Sequence, residues 1–388
     1  MEKEGKALYL NRNLQVIFTI TLVAVMGVAS VTPAFPKIKE YFDLNAQQVG
    51  YLMIYFTIPG IILAPFLGMF ADRFGRKTII VPSLFLFALA GFACGLSRNF
   101  DLLILFRFLQ GTGAAALGSL NLTLIGDLYE GKQRSTAMGY NASVLSIGTA
   151  TYPAIGGGLA MLGWYFPFFF PLVAIPVGFF VLFSLKNPEP RNKQKLWEYL
   201  KKTFVYIKRR RVFGLMLLNI FTFIILYGSF LTYVPLALAD KVNAEAWQIG
   251  IILSFASIAT AVTSSQLGRL SSTHGDKSML ISAYILYIIT LIIIPFIDHI
   301  WLFLIPSAIY GIGQGLNFPT IQSMLAGSAP IEVRAAFLSV NGMLLRGGQT
   351  LGPWLIGLVY VAFGMSWAFF AGAIVAVLMI MVVLTMIR

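Results

Sequence analysis

Twelve stretches of mainly apolar residues, each long enough to cross a bilayer, fill this 388-residue chain and leave little between them. They fall near residues 14 to 35, 49 to 71, 78 to 97, 102 to 126, 135 to 160, 164 to 185, 213 to 237, 247 to 270, 278 to 297, 300 to 325, 335 to 361 and 365 to 387. A helix crossing the hydrocarbon core needs about 20 such residues. Lipid admits only backbones that satisfy their own polar groups. The expected fold is therefore all-α, with 12 transmembrane helices. The opening MEKEGKALYLNRN is charged and precedes no cleavage site of small residues, so the first span is expected to be retained. Cys94, the single cysteine, lies in the third span and has no partner for an internal disulfide.

The net charge of +13 would suit a nucleic-acid binder, but its placement argues otherwise. With the N-terminus in the cytoplasm, 22 of the 28 Lys and Arg fall on cytoplasmic segments. Lys37, Lys39, Arg98 and Lys241 fall outside, and Arg107 and Arg346 fall inside spans. This is the bias of cytoplasmic loops toward Lys and Arg, and it puts both termini in the cytoplasm of a multi-pass protein of the inner (plasma) membrane. Loops this short offer no basic face with bases to stack on, so no nucleic acid is expected. The run Lys208 to Arg211 is expected beside anionic lipid headgroups.

Laying residue n beside residue n+200 brings unusual residues together without a gap. Gly50, Gly68 and Gly75 meet Gly250, Gly268 and Gly275; Gly111 and Gly113 meet Gly311 and Gly313. Arg134 meets Arg334, Asn141 meets Asn341, and Pro153 meets Pro353. The chain thus reads as two pseudo-symmetric six-helix bundles, residues 1 to 185 and 213 to 388, joined by a basic cytoplasmic linker over 186 to 212. Parallel repeats of this kind place a substrate cavity at their interface, near the midplane.

The turn after span 2 reads Gly68-Met-Phe-Ala-Asp72-Arg73-Phe-Gly75-Arg76-Lys77. It resembles the signature of the major facilitator superfamily, and Asp127 at the end of span 4 is similar to the third member of that family's charge cluster. The resemblance implies that Asp72, Arg73, Arg76 and Asp127 gate the cytoplasmic side. The alternative is that the basic residues only set topology. In the second half this stretch reads Gly268-Arg-Leu-Ser271-Ser-Thr-His-Gly275-Asp276-Lys277, without the acid and arginines at the matching positions. Span 4 opens Arg107-Phe-Leu-Gln110-Gly111-Thr-Gly113, which looks like a second family motif with an arginine facing the cavity; snorkelling to the near membrane edge is the other reading. Span 5 carries Gly148-Thr-Ala-Thr-Tyr152-Pro153, close to an antiporter motif that has glycine where Tyr152 stands. Span 11 has the regular form, Gly352-Pro353. With Pro33-Ala-Phe-Pro36 and Asp43-Leu44 ending span 1, the chain resembles the twelve-span drug:proton antiporter branch.

Polar residues at membrane depth are the candidate substrate contacts: Arg107, Arg346, Asn121, Asn141, Tyr227, Gln314, Asn317 and Asn341, with Tyr55 and Gln266 beside them. Each has the competing reading of a hydrogen bond between helices. Arg346 is the sharpest, because it lies near the middle of span 11, its repeat partner is Ser146, and no carboxylate lies deep in any span. All fifteen acids are at loops or span ends, so the candidates for coupling to protons are Asp127 and Asp101. No pair of carboxylates, metal-ligand spacing or cofactor motif points to an enzyme. The expectation is a monomeric transporter moving a small amphiphilic solute by alternating access, as a proton-coupled multidrug efflux pump. The alternatives are an exchanger or facilitator for anionic metabolites or lipid-like anions without proton coupling and, from another class, a multipass receptor or lipid-modifying enzyme.

Overall fold

The computed structural model describes residues 8–185, 209–328 and 334–387. Twelve long helices run up and down: α1 (Arg12–Tyr41), α2 (Ala46–Phe74), α3 (Arg76–Leu96), α4 (Phe100–Leu128), α5 (Gly131–Leu162), α6 (Phe166–Ser184), α7 (Arg210–Val242), α8 (Ala246–Ser265), α9 (Asp276–Phe296), α10 (Leu304–Ser328), α11 (Arg334–Phe363) and α12 (Met365–Met386). They match the twelve expected spans. α1 and α7 overrun furthest, to Tyr41 and Val242, because their last turns are amphipathic and hydropathy registers only the part inside lipid. A tight turn at Thr32–Ala34 interrupts α1, Ile225–Tyr233 of α7 is wound as a π-helix, and Leu267–His274 continues α8. Most of the linker expected over 186 to 212, including Lys208, lies outside the described residues.

The repeat in the sequence is a repeat in local geometry. Asn45 and Gln48 cap α2 reciprocally, the Gln48 amide donating to Asn45 Oδ1 at 2.9 Å and the Asn45 amide to Gln48 Oε1 at 2.8 Å. Glu245 and Gln248, 200 residues on, form the same box at the start of α8. Such boxes satisfy amides that the first helical turn leaves unpaired. Just before each box stands a left-handed residue, Asp43 (φ 52°) and Asn243 (φ 51°), types that tolerate this region. After α2 and α8 the chain turns on Gly75 (φ 93°) and Gly275 (φ 75°), a conformation that favours glycine.

Packing inside each half repeats as well. A Cβ on Gly111 would lie 2.1 Å from the Phe56 carbonyl oxygen, and one on Gly311 would lie 2.1 Å from that of Ala256. These are the same α2–α4 and α8–α10 crossings, where backbones touch and no side chain fits. Between the halves, α5 packs along α8 and α2 along α11. Gly157 lies against Ala246, Gly250 against Pro153 and Gly50 against Pro353. The Ala154 amide donates across the interface to Ser254 Oγ at 3.0 Å.

Large apolar side chains such as Phe183, Phe296 and Phe363 are exposed around the outside, a surface that lipid solvates. Among the described residues, nine of the twelve helices are long and apolar enough to cross a membrane on composition alone. The exceptions are α5, α10 and α11, which carry much of the glycine and amide content and sit where helices meet one another.

Candidate functional site

The termini of α1 and α12 share one side of the bundle, called here the terminal side, and the opposite side is the far side. On the far side Lys39 Nζ meets Asp240 across the halves at 2.8 Å. Below it come the glycine contacts of α5 with α8 and of α2 with α11. Deeper still, the hydroxyls of Thr57 on α2 and Thr350 on α11 are 2.8 Å apart. The contacts joining the halves run from Lys39 on the far side down to Arg346. The protein is held in a state sealed on its far side, with Arg346 at the floor of the seal.

Arg346 is twelve residues into α11, about 18 Å along its axis at 1.5 Å per residue, close to the middle of a 30-residue helix. Its side chain reaches out of the C-terminal half into the N-terminal one. A Cβ on Gly60 of α2 would stand 3.0 Å from Arg346 Cδ, and one on Gly118 of α4 would stand 2.7 Å from a terminal guanidinium nitrogen. Two glycines therefore make the room in which the guanidinium lies. Arg346 Nη1 donates to Gln349 Oε1, one turn on along α11, at 3.3 Å. Tyr227, in the π-wound part of α7, is near enough to interact electrostatically. Arg346, Tyr227 and Gln349 thus converge on the interface. The sequence pointed to the first two. It missed Gln349, Gly60 and Gly118, although Gly60 and Gly118 are glycines that the repeat does not preserve, their partners being Thr260 and Phe318.

Arg107 is placed differently from expectation. It neither faces a cavity nor snorkels to the membrane edge, and it is fully buried inside the N-terminal half. Its Nε donates to the Leu52 carbonyl at 3.1 Å, and Nη1 donates to the Gly27 carbonyl at 3.0 Å and to Gln110 Oε1 at 2.7 Å. The Phe56 ring lies under the guanidinium, 4.3 Å away. The physical reason is local: regular α1 ends at Ala29, so carbonyls of its last turn need donors from elsewhere, and Arg107 supplies one.

The four asparagines are likewise bonded between helices. Asn121 Nδ2 donates to Thr21 Oγ1, and Thr21 donates to Asn141 Oδ1 at 2.5 Å, tying α4, α1 and α5 together. In the other half Asn219 Nδ2 donates to Asn341 Oδ1 at 2.6 Å and Asn341 Nδ2 to Gln322 Oε1 at 3.0 Å, tying α7, α11 and α10. Asn317 donates to Thr222 Oγ1 at 2.7 Å and accepts from the Tyr284 hydroxyl at 3.0 Å. All four are buried. Low dielectric favours satisfying such groups between helices, and Asn121 Oδ1 is the one side-chain oxygen of the four left buried without a partner. Gln314 is half-buried and accepts from the Tyr287 hydroxyl.

On the terminal side Arg76 Nε pairs with Asp127 at 3.0 Å, holding the start of α3 to the end of α4 within one half. Arg73 is exposed, lying over the Phe74 ring at 5.5 Å. The Asp72 side chain lies outside the described residues. In the second half Ser271 donates to Asp276 at 2.5 Å where the first has its ion pair. Asp101 is exposed at the start of α4. Among the described residues no three His, Cys, Asp or Glu side chains gather as a metal would require.

Two six-helix repeats that meet along glycine-lined crossings, with a cation at the midplane between them, define a secondary transporter of the membrane. Residues 17–243 and 236–388 match the Major Facilitator Superfamily, and the chain belongs to that family. It is 27% identical over 361 residues to Multidrug resistance protein 1 of Bacillus subtilis (strain 168), covering 90% of each chain. It is 24% identical over 371 residues to Quinolone resistance protein NorA of Staphylococcus aureus (strain COL), covering 92% of this chain and 95% of that one. Its fold is shared by the nucleoside transporter NupG, at a TM-score of 0.78 and 12% identity over 98% of this chain and 99% of that one. A D-xylose–proton symporter also shares it, at 0.79 and 13% over 98% of both.

Proposed function

We propose that this protein exports small amphiphilic organic solutes of the drug type by alternating access, with protons as the coupling ion. The observation that carries the reading is likeness over nine-tenths of the chain to proteins named for multidrug and quinolone resistance. The terminal side is then the cytoplasmic side of the plasma membrane, the protein works as a monomer among lipids, and the described state is the one sealed to the outside. A solute entering from the cytoplasm meets Arg346, Tyr227 and Gln349 where the halves part. Asp72, Arg73, Arg76 and Asp127 serve the opposite state, latching the cytoplasmic ends together. Asp72→Asn should then raise the fraction of molecules open to the cytoplasm, read as distances between spin labels on the two halves. Unchanged distributions would remove the latch.

A second reading, an exchanger or facilitator of organic anions without proton coupling, is favoured by one feature. The buried polar residues include Arg107 and many amides and hydroxyls but no carboxylate among the described residues. Proteoliposomes with an imposed pH gradient separate the two readings. Efflux coupling predicts gradient-driven uptake by inside-out protein, lost in Asp127→Asn or Asp101→Asn. Flux indifferent to the gradient leaves the second reading. Absence of any solute flux would sink both.

A further inference from the structure

We infer that the transported solute carries a carboxylate, and that Arg346, with Tyr227 and Gln349, is its binding site. This rests on the transporter reading above and names the substrate class of the same site.

The two arginines inside the spans provide the control for each other. Arg107 donates through Nε and Nη1 to two carbonyls and an amide, and its Nη2 is closed off inside the N-terminal half without a partner. Arg346 is half-buried, and its one side-chain hydrogen bond among the described residues is the 3.3 Å contact with Gln349 on its own helix. A cation at this depth costs about 2.5 to 3.5 kcal/mol on insertion scales unless something compensates it. The acids of the four helices around it, Asp72 on α2, Asp101 and Asp127 on α4 and Asp240 on α7, all stand at helix ends, and α11 has none. The compensating charge is therefore one that arrives and leaves.

The other groups at the site are suited to the same visitor. Gln349 gives its oxygen to Arg346, which leaves its amide hydrogens to donate, and Tyr227 offers a hydroxyl. Gly60 and Gly118 let the guanidinium cross into the opposite half, so a bound anion would touch both halves at once. The planar fork of arginine matches a carboxylate in a two-bond pairing. A single positive charge balances a carboxylate but not a phosphate dianion, and the second intramembrane cation, Arg107, is committed elsewhere. The repeat partner Ser146 is bonded to its own helix, to the Ala142 carbonyl at 3.0 Å, so the anion site belongs to one half's chemistry only.

The test uses the full-length protein and three probes with one pyrene body: 1-pyrenebutanoate, its carboxamide and a pyrenylbutyl trimethylammonium. Energy transfer from tryptophan to pyrene reads binding in detergent, and proteoliposomes read flux of the two charged probes. The carboxylate is expected to bind tightest. Arg346→Gln should weaken it by about 10- to 100-fold, the range of a charge-assisted hydrogen bond, while the amide, which keeps the carbonyl but not the charge, should lose several-fold less, and its remaining binding reports an intact fold. Arg346→Lys should fall between. Gly118→Ala, which keeps the charge and displaces the guanidinium, should weaken the carboxylate and spare the amide. Tighter binding of the ammonium, or equal losses for carboxylate and amide in Arg346→Gln, overturns the inference and leaves the exporter standing. If no probe binds or moves, the exporter reading itself fails and takes the inference with it.

Discussion

The two halves of this protein share a plan and differ in where their helices come closest. Where the C-terminal half has Gly228 and Gly352, the N-terminal half has Val28 and Tyr152 at the repeat positions. In the C-terminal half a Cβ on Gly228 would lie 2.7 Å from the Gly352 carbonyl oxygen, so α7 and α11 touch backbone to backbone within the π-wound stretch of α7. In the N-terminal half Tyr152 meets Phe170 edge-on at 5.4 Å, and the backbone contact of α5 with α1 falls one turn on, where Gly156 lies against Ser30. The arginines divide in the same way. The N-terminal half locks Arg107 into its own carbonyls, whereas the C-terminal half extends Arg346 out to its neighbour. A π-helix is a local irregularity often found at functional sites, and here it holds Tyr227. The difference teaches that a repeat can keep its helix plan while its two intramembrane arginines are held in opposite ways, one inside its own half and one across the interface.

That contrast is broken most directly at the arginines. Arg107→Met leaves the Gly27 and Leu52 carbonyls and the Gln110 amide without a donor, at about 1 to 3 kcal/mol for each buried group. Thermal unfolding in detergent should show a large loss of stability, while Arg346→Met should unfold close to the parent protein. Equal losses would erase the distinction between a structural and a working cation. Next in size is Gly228→Val, which installs the residue of the other half. Overpacking costs about 1 to 3 kcal/mol, and since the obstacle is backbone, α7 must move from α11. Transport should be lost although the protein inserts, and Val28→Gly should keep transport. Normal flux in Gly228→Val would show that the close approach is dispensable.

Smaller effects sharpen the likeness of the halves instead of their difference. Asn141→Leu removes one interhelical bond, from Thr21, and Asn341→Leu removes two, from Asn219 and to Gln322, each worth about 0.6 to 1.7 kcal/mol. The loss of stability should be about twice as large for Asn341→Leu, and equal losses would show that the bonds do not count alike in the two halves. Smallest is Lys39→Ala. The pair with Asp240 is partly exposed, and such pairs contribute about 0.2 to 1 kcal/mol. The mutant should open to the outside somewhat more often, by less than about fivefold, measured as label distances across the far side. A complete switch of state would mean that the ion pair, and not the glycine crossings, carries the seal.

How much of this was legible follows from which signals are local. The twelve helices, the repeat and the midplane arginine come from hydropathy, spacing and depth, each of which a sequence displays. The paired caps at Asn45 and Glu245 show the repeat extending to turn chemistry. The fate of the amides was not legible, because Asn141 on α5 is bonded through Thr21 on α1, 120 residues away, and nothing near either residue says so. Arg107 misled for a similar reason. Its burial depends on an α1 that breaks at Thr32 and leaves carbonyls pointing at α4. Gly60 and Gly118 were invisible as a pair, since each looks like any packing glycine until Arg346 is laid between them.

The weak hydropathy of α5, α10 and α11 bears on how the chain enters the membrane at all. A segment partitions from the translocon into lipid according to the summed transfer cost of its residues. Three helices rich in glycine and amides, one of them holding Arg346, lack the apolarity to do so alone. In the folded protein a neighbour lies along each: α8 along α5 and α10, and α2 along α11. The second of these neighbours is synthesised long before its partner. The helix that packs along α11 is thus already made when the last polar helix emerges, and the interface between the halves is also what shields that helix from lipid.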